Sequence, residues 1–188
     1  MQAHAEVPGH GRVIVVMGVS GCGKSTVARH LAIRLRARFR DGDELHPPQN
    51  IALMAEGTPL TDQDRWPWLE AVRDFARVAV SDGQDCVIAC SALRLRYRDM
   101  LRQAGEVYFV FLDGPFELIA SRMQNRSGHF MPEHLLQSQF DTLESPLGEP
   151  GVVRVDVEPV PEEVARAAQQ ALHDLPRFDP ARTAGHTS

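Results

Sequence analysis

Short runs of apolar, largely β-branched residues recur along the chain, and each is followed by apolar residues at helical spacing. Arg12–Met17, Cys86–Cys90, Val107–Leu112 and Val152–Val157 read as buried strands, with Phe39-Arg40-Asp41 as a shorter one. Between them, helices are expected from Val27 to about residue 38, from Pro48 to Glu56, and from a cap at Thr61 to about Val80. Further helices are expected over Leu93–Gln103, Pro115–Gln124, Pro132–Leu143 and Pro161–Leu172. In the third of these helices Leu69, Val72, Phe75, Ala76 and Ala79 share one face, and Pro67, near its start, is expected to bend or restart it. Strands alternating with helices predict an α/β fold: a parallel five-stranded sheet covered on both faces, a three-layer α/β/α sandwich with right-handed crossovers. Residues 1–11 lack periodicity and read as a flexible leader, 12–174 as one domain, and 175–188 as a disordered polar tail.

One junction carries chemistry. Gly18-Val19-Ser20-Gly21-Cys22-Gly23-Lys24-Ser25-Thr26 fits the phosphate-binding pattern G-x-x-x-x-G-K-[ST], between the first strand and the first helix. Glycines let backbone N–H groups turn inward around phosphate oxygens, and the helix N-terminus adds partial positive charge. Lys24 is expected on the β- and γ-phosphates of ATP, and Ser25 on Mg²⁺ through its hydroxyl. An ordinary glycine turn would not need the lysine and hydroxyl at that spacing.

In a parallel sheet, ligands gather at the carboxyl ends of the strands. Asp41-Gly42-Asp43 follows the second strand there. One carboxylate can support the metal; the other can take a proton from an attacking hydroxyl. A solvated acidic turn is the plainer alternative. Arg65 has a guanidinium suited to a bidentate grip on a carboxylate, or to a surface pair with Asp62 or Asp64. Of the two tryptophans, Trp66 and Trp68, one is expected in the core and the other on a pocket wall. Arg122, Arg126 and His129 fall in or beside a polar segment between two helices, about 122–132, where a mobile lid can be placed.

Bulk properties narrow the partners. The chain has 188 residues, 43% hydrophobic and 24% charged, with a net charge of −5. That suits a globular domain and disfavours nucleic acid as a main partner. No run approaches the roughly 18 apolar residues of a membrane span. Cys22, Cys86 and Cys90 lack zinc spacing and read as core thiols, which fits a reducing, cytoplasmic setting.

Taken together, these blocks resemble the small phosphate-loop gluconokinases, relatives of shikimate kinase and the nucleoside monophosphate kinases. The resemblance is carried by Gly18–Ser25, Asp41-Gly-Asp-Glu-Leu-His-Pro47, Asn50–Met54, Gly57-Thr-Pro-Leu60, Asp64-Arg-Trp-Pro-Trp-Leu69, Cys90-Ser-Ala-Leu93, Tyr97-Arg-Asp99, Gly128-His-Phe-Met131 and Gln139-Phe-Asp-Thr-Leu-Glu144. It implies transfer of the ATP γ-phosphate to the 6-hydroxyl of D-gluconate, giving ADP and 6-phosphogluconate. It also implies Asp43 as the base, Asp41 in support of Mg²⁺, Arg65 on the substrate carboxylate, and His46, Arg98 and His129 around the acceptor. By the same likeness Arg122 packs on adenine, Arg126 is the lid arginine at the phosphates, and the chain forms a homodimer. Leu53 and Ser127 stand where many relatives have lysine, which either weakens sugar-acid binding or lid closure, or marks those lysines as peripheral. Two other readings are the same fold acting on another small acceptor, such as a different sugar acid or shikimate, and a nucleotide-dependent switch without an acceptor.

Overall fold

The computed structural model describes residues 11–124 and 133–175. Five strands, β1 (Val13–Met17), β2 (Arg38–Asp41), β3 (Cys86–Ala89), β4 (Val107–Asp113) and β5 (Val152–Asp156), form one sheet in the order β2-β3-β1-β4-β5. Every neighbouring pair is parallel, with Val15 opposite Ile88 on one side and Phe109 on the other. The three-layer α/β/α expectation holds for the described residues.

Strand alternation divides the core in two. Ile14 and Val16 of β1 face one way, with Val27, Ala28 and Leu31 of α1 (Lys24–Leu35) and Val164, Ala165 and Ala168 of α7 (Pro161–Asp174). Val13, Val15 and Met17 face the other way, with Leu69, Val72, Ala76 and Ala79 of α3 (Asp62–Ser81) and Tyr97 and Leu101 of α4 (Leu95–Arg102). Both faces being covered explains why β1 and β3 are apolar at every position. The remaining helices are α2 (Pro48–Ala55), α5 (Phe116–Gln124) and α6 (Glu133–Thr142), the last two meeting edge-to-face through Phe116 and Phe140.

Helix α3 departs from expectation: it runs unbroken through Pro67. Its start is fixed by a capping box, in which Thr61 and Asp64 satisfy each other's backbone N–H groups. Asp62 is gripped by Arg94, Arg96 and Tyr97, and Trp68 is buried just beyond the proline. These anchors hold the helix on both sides of the N–H that proline lacks. Trp68 is the core tryptophan and Trp66 the exposed one. Cys22, Cys86 and Cys90 are buried free thiols, and burial pushes Cys86 and Cys90 up to about 12.

A buried ion cluster ties the loop after β3 to the segment before β5. Arg98 is wholly buried. Its guanidinium donates to Glu149 (Nη2 to Oε1, 2.5 Å), to the Ala92 carbonyl at 2.9 Å and to the Glu144 carbonyl at 3.1 Å. Arg102 donates to the other oxygen of Glu149 at 2.6 Å. Ala92, held in this way, has φ 46°, a left-handed conformation costly for a residue with a Cβ. Burial opposes ionisation of Glu149, but hydrogen bonds from Arg98 and Arg102 outweigh it and hold the carboxyl below its usual range.

A depressed native pKa means that the unfolded chain binds the proton more readily. The stabilisation is therefore present above the unfolded value of about 4.3 and is lost as pH falls through the native one. Glu149→Gln is expected to lose about 3 kcal/mol at pH 7, because a buried guanidinium is left without its anion. In urea unfolding, the gap between variant and parent should narrow at about pH 3.5; an equal gap at both pH values would contradict the role of the charge.

Candidate active site

The phosphate loop leaves β1 at Met17 and enters α1 at Lys24. Gly18, at φ 142°, donates its N–H to the Ser91 carbonyl, and a Cβ there would lie 2.8 Å from the Leu112 carbonyl oxygen. Only glycine allows β4 to approach this closely. The loop continues through Val19, Ser20, Gly21 and the buried Cys22 to Gly23, which caps α1 in a left-handed conformation. The N–H groups of Gly21, Gly23, Ser25 and Thr26 find no acceptor among the described residues. They form a set of donors at a helix N-terminus, suited to an oxyanion. Lys24 Nζ spans the loop and donates to the Val19 carbonyl at 2.9 Å.

Asp41 joins this loop to the rest of the site. It is the last residue of β2, and its two oxygens have different partners. Oδ2 accepts the Ser25 hydroxyl at 2.6 Å, and Oδ1 accepts the Asp43 backbone N–H at 3.1 Å. The second bond caps a 3₁₀ turn, Gly42–Leu45. Gly42 is buried against β3, where a Cβ would meet the Ala89 carbonyl oxygen at 2.6 Å. The Asp-Gly-Asp pattern is thus a carboxylate on the phosphate-loop side, a glycine that lets the turn pack, and a second carboxylate beyond it. The Asp43 side chain is 79% exposed at the mouth of the site.

Behind Asp43 the wall is rigid. His46 stacks on Trp68 with ring centroids 4.3 Å apart and planes 14° from parallel. Trp68 Nε1 donates to the Gly42 carbonyl at 2.7 Å. Asn50 Nδ2 donates to the Asp64 carbonyl at 2.7 Å and lies 3.3 Å from His46 Nδ1. Nδ1 therefore accepts, and in the neutral ring the proton sits on Nε2, which lies 4.0 Å from Asp43 Oδ1. Burial lowers the His46 pKa; Asp43 opposes that shift and Arg65 adds to it. His46 is thus a neutral hydrogen-bonding group at physiological pH.

The pairing of Arg65 with Asp62 or Asp64 does not occur. Asp62 is committed to Arg94, Arg96 and Tyr97, and Asp64 to Thr61. Arg65 is half-buried and close enough to disfavour a proton on His46, and its side chain makes no hydrogen bond or salt bridge among the described residues. The structure therefore gathers Lys24, Ser25, Asp41, Asp43, His46 and Arg65 around one crevice at the carboxyl edge of the sheet.

Of the other expected site residues among those described, only Arg98 is placed against expectation. Arg98 does not line the pocket: it is wholly buried, with its donors taken by Glu149, Ala92 and Glu144. Arg122, in the last turn of α5, donates to the Val157 and Glu158 carbonyls just beyond β5. Leu53 is half-buried on α2. Arg126, Ser127, His129 and residues 125–132 of the expected lid lie outside the described residues. Sequence reasoning gave no individual role to Asn50 or Gln139, and left open which tryptophan is in the core and which lines a pocket. Asn50 and Trp68 tie the wall around His46 together, and Gln139 contacts Ser20 across 119 positions, a separation at which no local pattern operates.

Comparison with known proteins agrees with this architecture. An AAA domain model, AAA_33, matches residues 13–150. The thermosensitive gluconokinase of Escherichia coli K12 is 44% identical over 164 residues, covering 86% of this chain and 88% of that protein. The gluconokinase of Gluconobacter oxydans is 49% identical over 154 residues, covering 81% and 86%. The crystal structure of a gluconokinase from Sinorhizobium meliloti 1021 superposes with a TM-score of 0.80 at 47% identity, covering 88% of this chain and 93% of that one. With its phosphate loop, parallel five-stranded sheet and this degree of likeness, the chain belongs to the gluconokinase family.

Proposed function

We propose that this protein transfers the γ-phosphoryl group of ATP to the 6-hydroxyl of D-gluconate, releasing ADP and 6-phospho-D-gluconate. The observation that carries the reading is the half-buried Arg65 side chain, which makes no salt bridge or side-chain hydrogen bond among the described residues, near a neutral His46 that has the exposed Asp43 beside it. A sugar acid needs one cation for its carboxylate and neutral or anionic acceptors for its hydroxyls, and this wall offers both. Shikimate would share the carboxylate contact, but the gluconokinase relatives favour the open-chain polyol acid.

In this reading the loop N–H groups and Lys24 hold the ATP phosphates, and Arg122 borders the nucleotide base. Ser25 and Asp41 offer a hydroxyl and a carboxylate oxygen 2.6 Å apart, hard ligands of the kind Mg²⁺ takes together with water and phosphate oxygens. When bound, Mg²⁺ would neutralise charge on the phosphates. Arg65 grips the carboxylate and His46 Nε2 donates to a sugar hydroxyl. Asp43 accepts the proton of the 6-hydroxyl as that oxygen bonds to the γ-phosphorus and the β–γ bridging oxygen departs with ADP. Most of the rate gain comes from holding the two oxygens in line and stabilising charge, as phosphoryl transfer requires. Arg126 and His129 take part from the lid. The three free thiols fit a cytoplasmic setting, and among the described residues no helix is long and apolar enough to cross a membrane.

A panel of sugar acids, polyols and shikimate, assayed by coupled ADP release, should show gluconate as the preferred acceptor; no gluconate-dependent release would overturn the reading. Arg65→Ala should raise the KM for gluconate by roughly 30-fold, about the worth of a charge-assisted pair, with the KM for ATP within about twofold. An equal loss for both substrates would remove Arg65 from the acceptor. Asp43→Asn should lower kcat by at least about 100-fold while the unfolding transition is preserved; turnover near that of the parent would eliminate it as the base.

A further inference from the structure

The crest of the phosphate loop makes one contact that phosphoryl transfer, as described so far, does not use. Gln139, on α6, meets Ser20 through both ends of its amide. Oε1 accepts the Ser20 backbone N–H at 2.6 Å, and Nε2 donates to Ser20 Oγ at 2.9 Å. A backbone N–H can only donate, so the amide oxygen must face it, and the NH₂ end must face the hydroxyl. The orientation of the side chain is therefore fixed by chemistry.

Two consequences follow for Ser20. Its N–H is already committed, unlike those of Gly21, Gly23, Ser25 and Thr26 on the same loop. Its oxygen already accepts a hydrogen bond, so the hydroxyl proton is left to donate outward. Among the described residues that proton has no acceptor. Ser20 lies two residues from Gly18 and four from Lys24, on the half-buried rim of the loop. A hydroxyl donor there, with its oxygen held by the Gln139 amide, suits an oxygen that gains negative charge during transfer.

We propose that Gln139 is a positioning residue for phosphoryl transfer: its amide fixes Ser20 as a hydroxyl donor to the γ-phosphoryl oxygens of the nucleotide held by the loop. This rests on the phosphoryl-transfer reading, and its test separates the two. Ser20→Ala and Gln139→Ala should each lower kcat for gluconate by about 10- to 100-fold, with the KM for gluconate within about twofold. Because Gln139 acts through the Ser20 hydroxyl, adding Gln139→Ala to Ser20→Ala should cost no more than about a further twofold. Gln139→Met keeps the volume and helix packing, and serves the same cycle should the alanine variant unfold. Titration with nucleotide alone should show ATP bound about tenfold more weakly by Gln139→Ala and ADP bound unchanged. Equal losses from Gln139→Ala in the parent and in the Ser20→Ala variant, or equal weakening of ATP and ADP, would overturn the proposal. Absence of gluconate phosphorylation by the parent would overturn the functional reading instead, and the ATP-to-ADP comparison would still decide the role of Gln139.

Discussion

The two bonds of Asp41 are the constraint on which the site depends. One oxygen holds the hydroxyl at the start of α1 and the other caps the turn that carries Asp43. The phosphate loop and the turn that carries Asp43 come from different strands, and this carboxylate links them at hydrogen-bond distance. Charge-assisted bonds of this kind contribute more than neutral ones, about 1.5–3 kcal/mol each. Their larger effect is geometric, since in-line transfer tolerates little displacement of the acceptor oxygen relative to the γ-phosphorus. Parallel pairing puts β2 and β1 on either side of β3, so both ends arrive at the same edge of the sheet.

Around this link the protein separates its charges. Asp64 is engaged in the capping box and Asp62 in an arginine and tyrosine cluster, so neither neighbour in sequence forms a salt bridge with Arg65. His46 is kept neutral by burial, on a ring held in its stack with Trp68. The result is a cation left uncommitted among the described residues, on a rigid wall. Arg98 illustrates the opposite arrangement. It is a guanidinium wholly enclosed and satisfied by Glu149 and two carbonyls, and it holds a strained loop in place.

The phosphate loop, the parallel sheet and the paired aspartates were legible in the sequence because each rests on local pattern: a glycine spacing, an alternation, a strand end. The same reasoning left Arg65 between a surface pair and a substrate grip, because the choice depends on where Asp62 and Asp64 turn. Arg98 was misplaced for a related reason: Tyr97-Arg98-Asp99 resembles a pocket block in one dimension, while Glu149, its partner, lies 51 positions away. Pro67 marked a break that the capping box and the anchored Trp68 override. The contact of Gln139 with Ser20 was invisible to any local rule.

The central claim is that the crevice joins ATP to a sugar acid at one hydroxyl. The most direct measurement is NMR of the product formed from ATP and D-gluconate, following ³¹P and its coupling to ¹³C. The account predicts one phosphate monoester, with phosphorus coupled to carbon 6 and ADP formed in equal amount. Inorganic phosphate with unmodified gluconate, or an ester at another carbon, would contradict it.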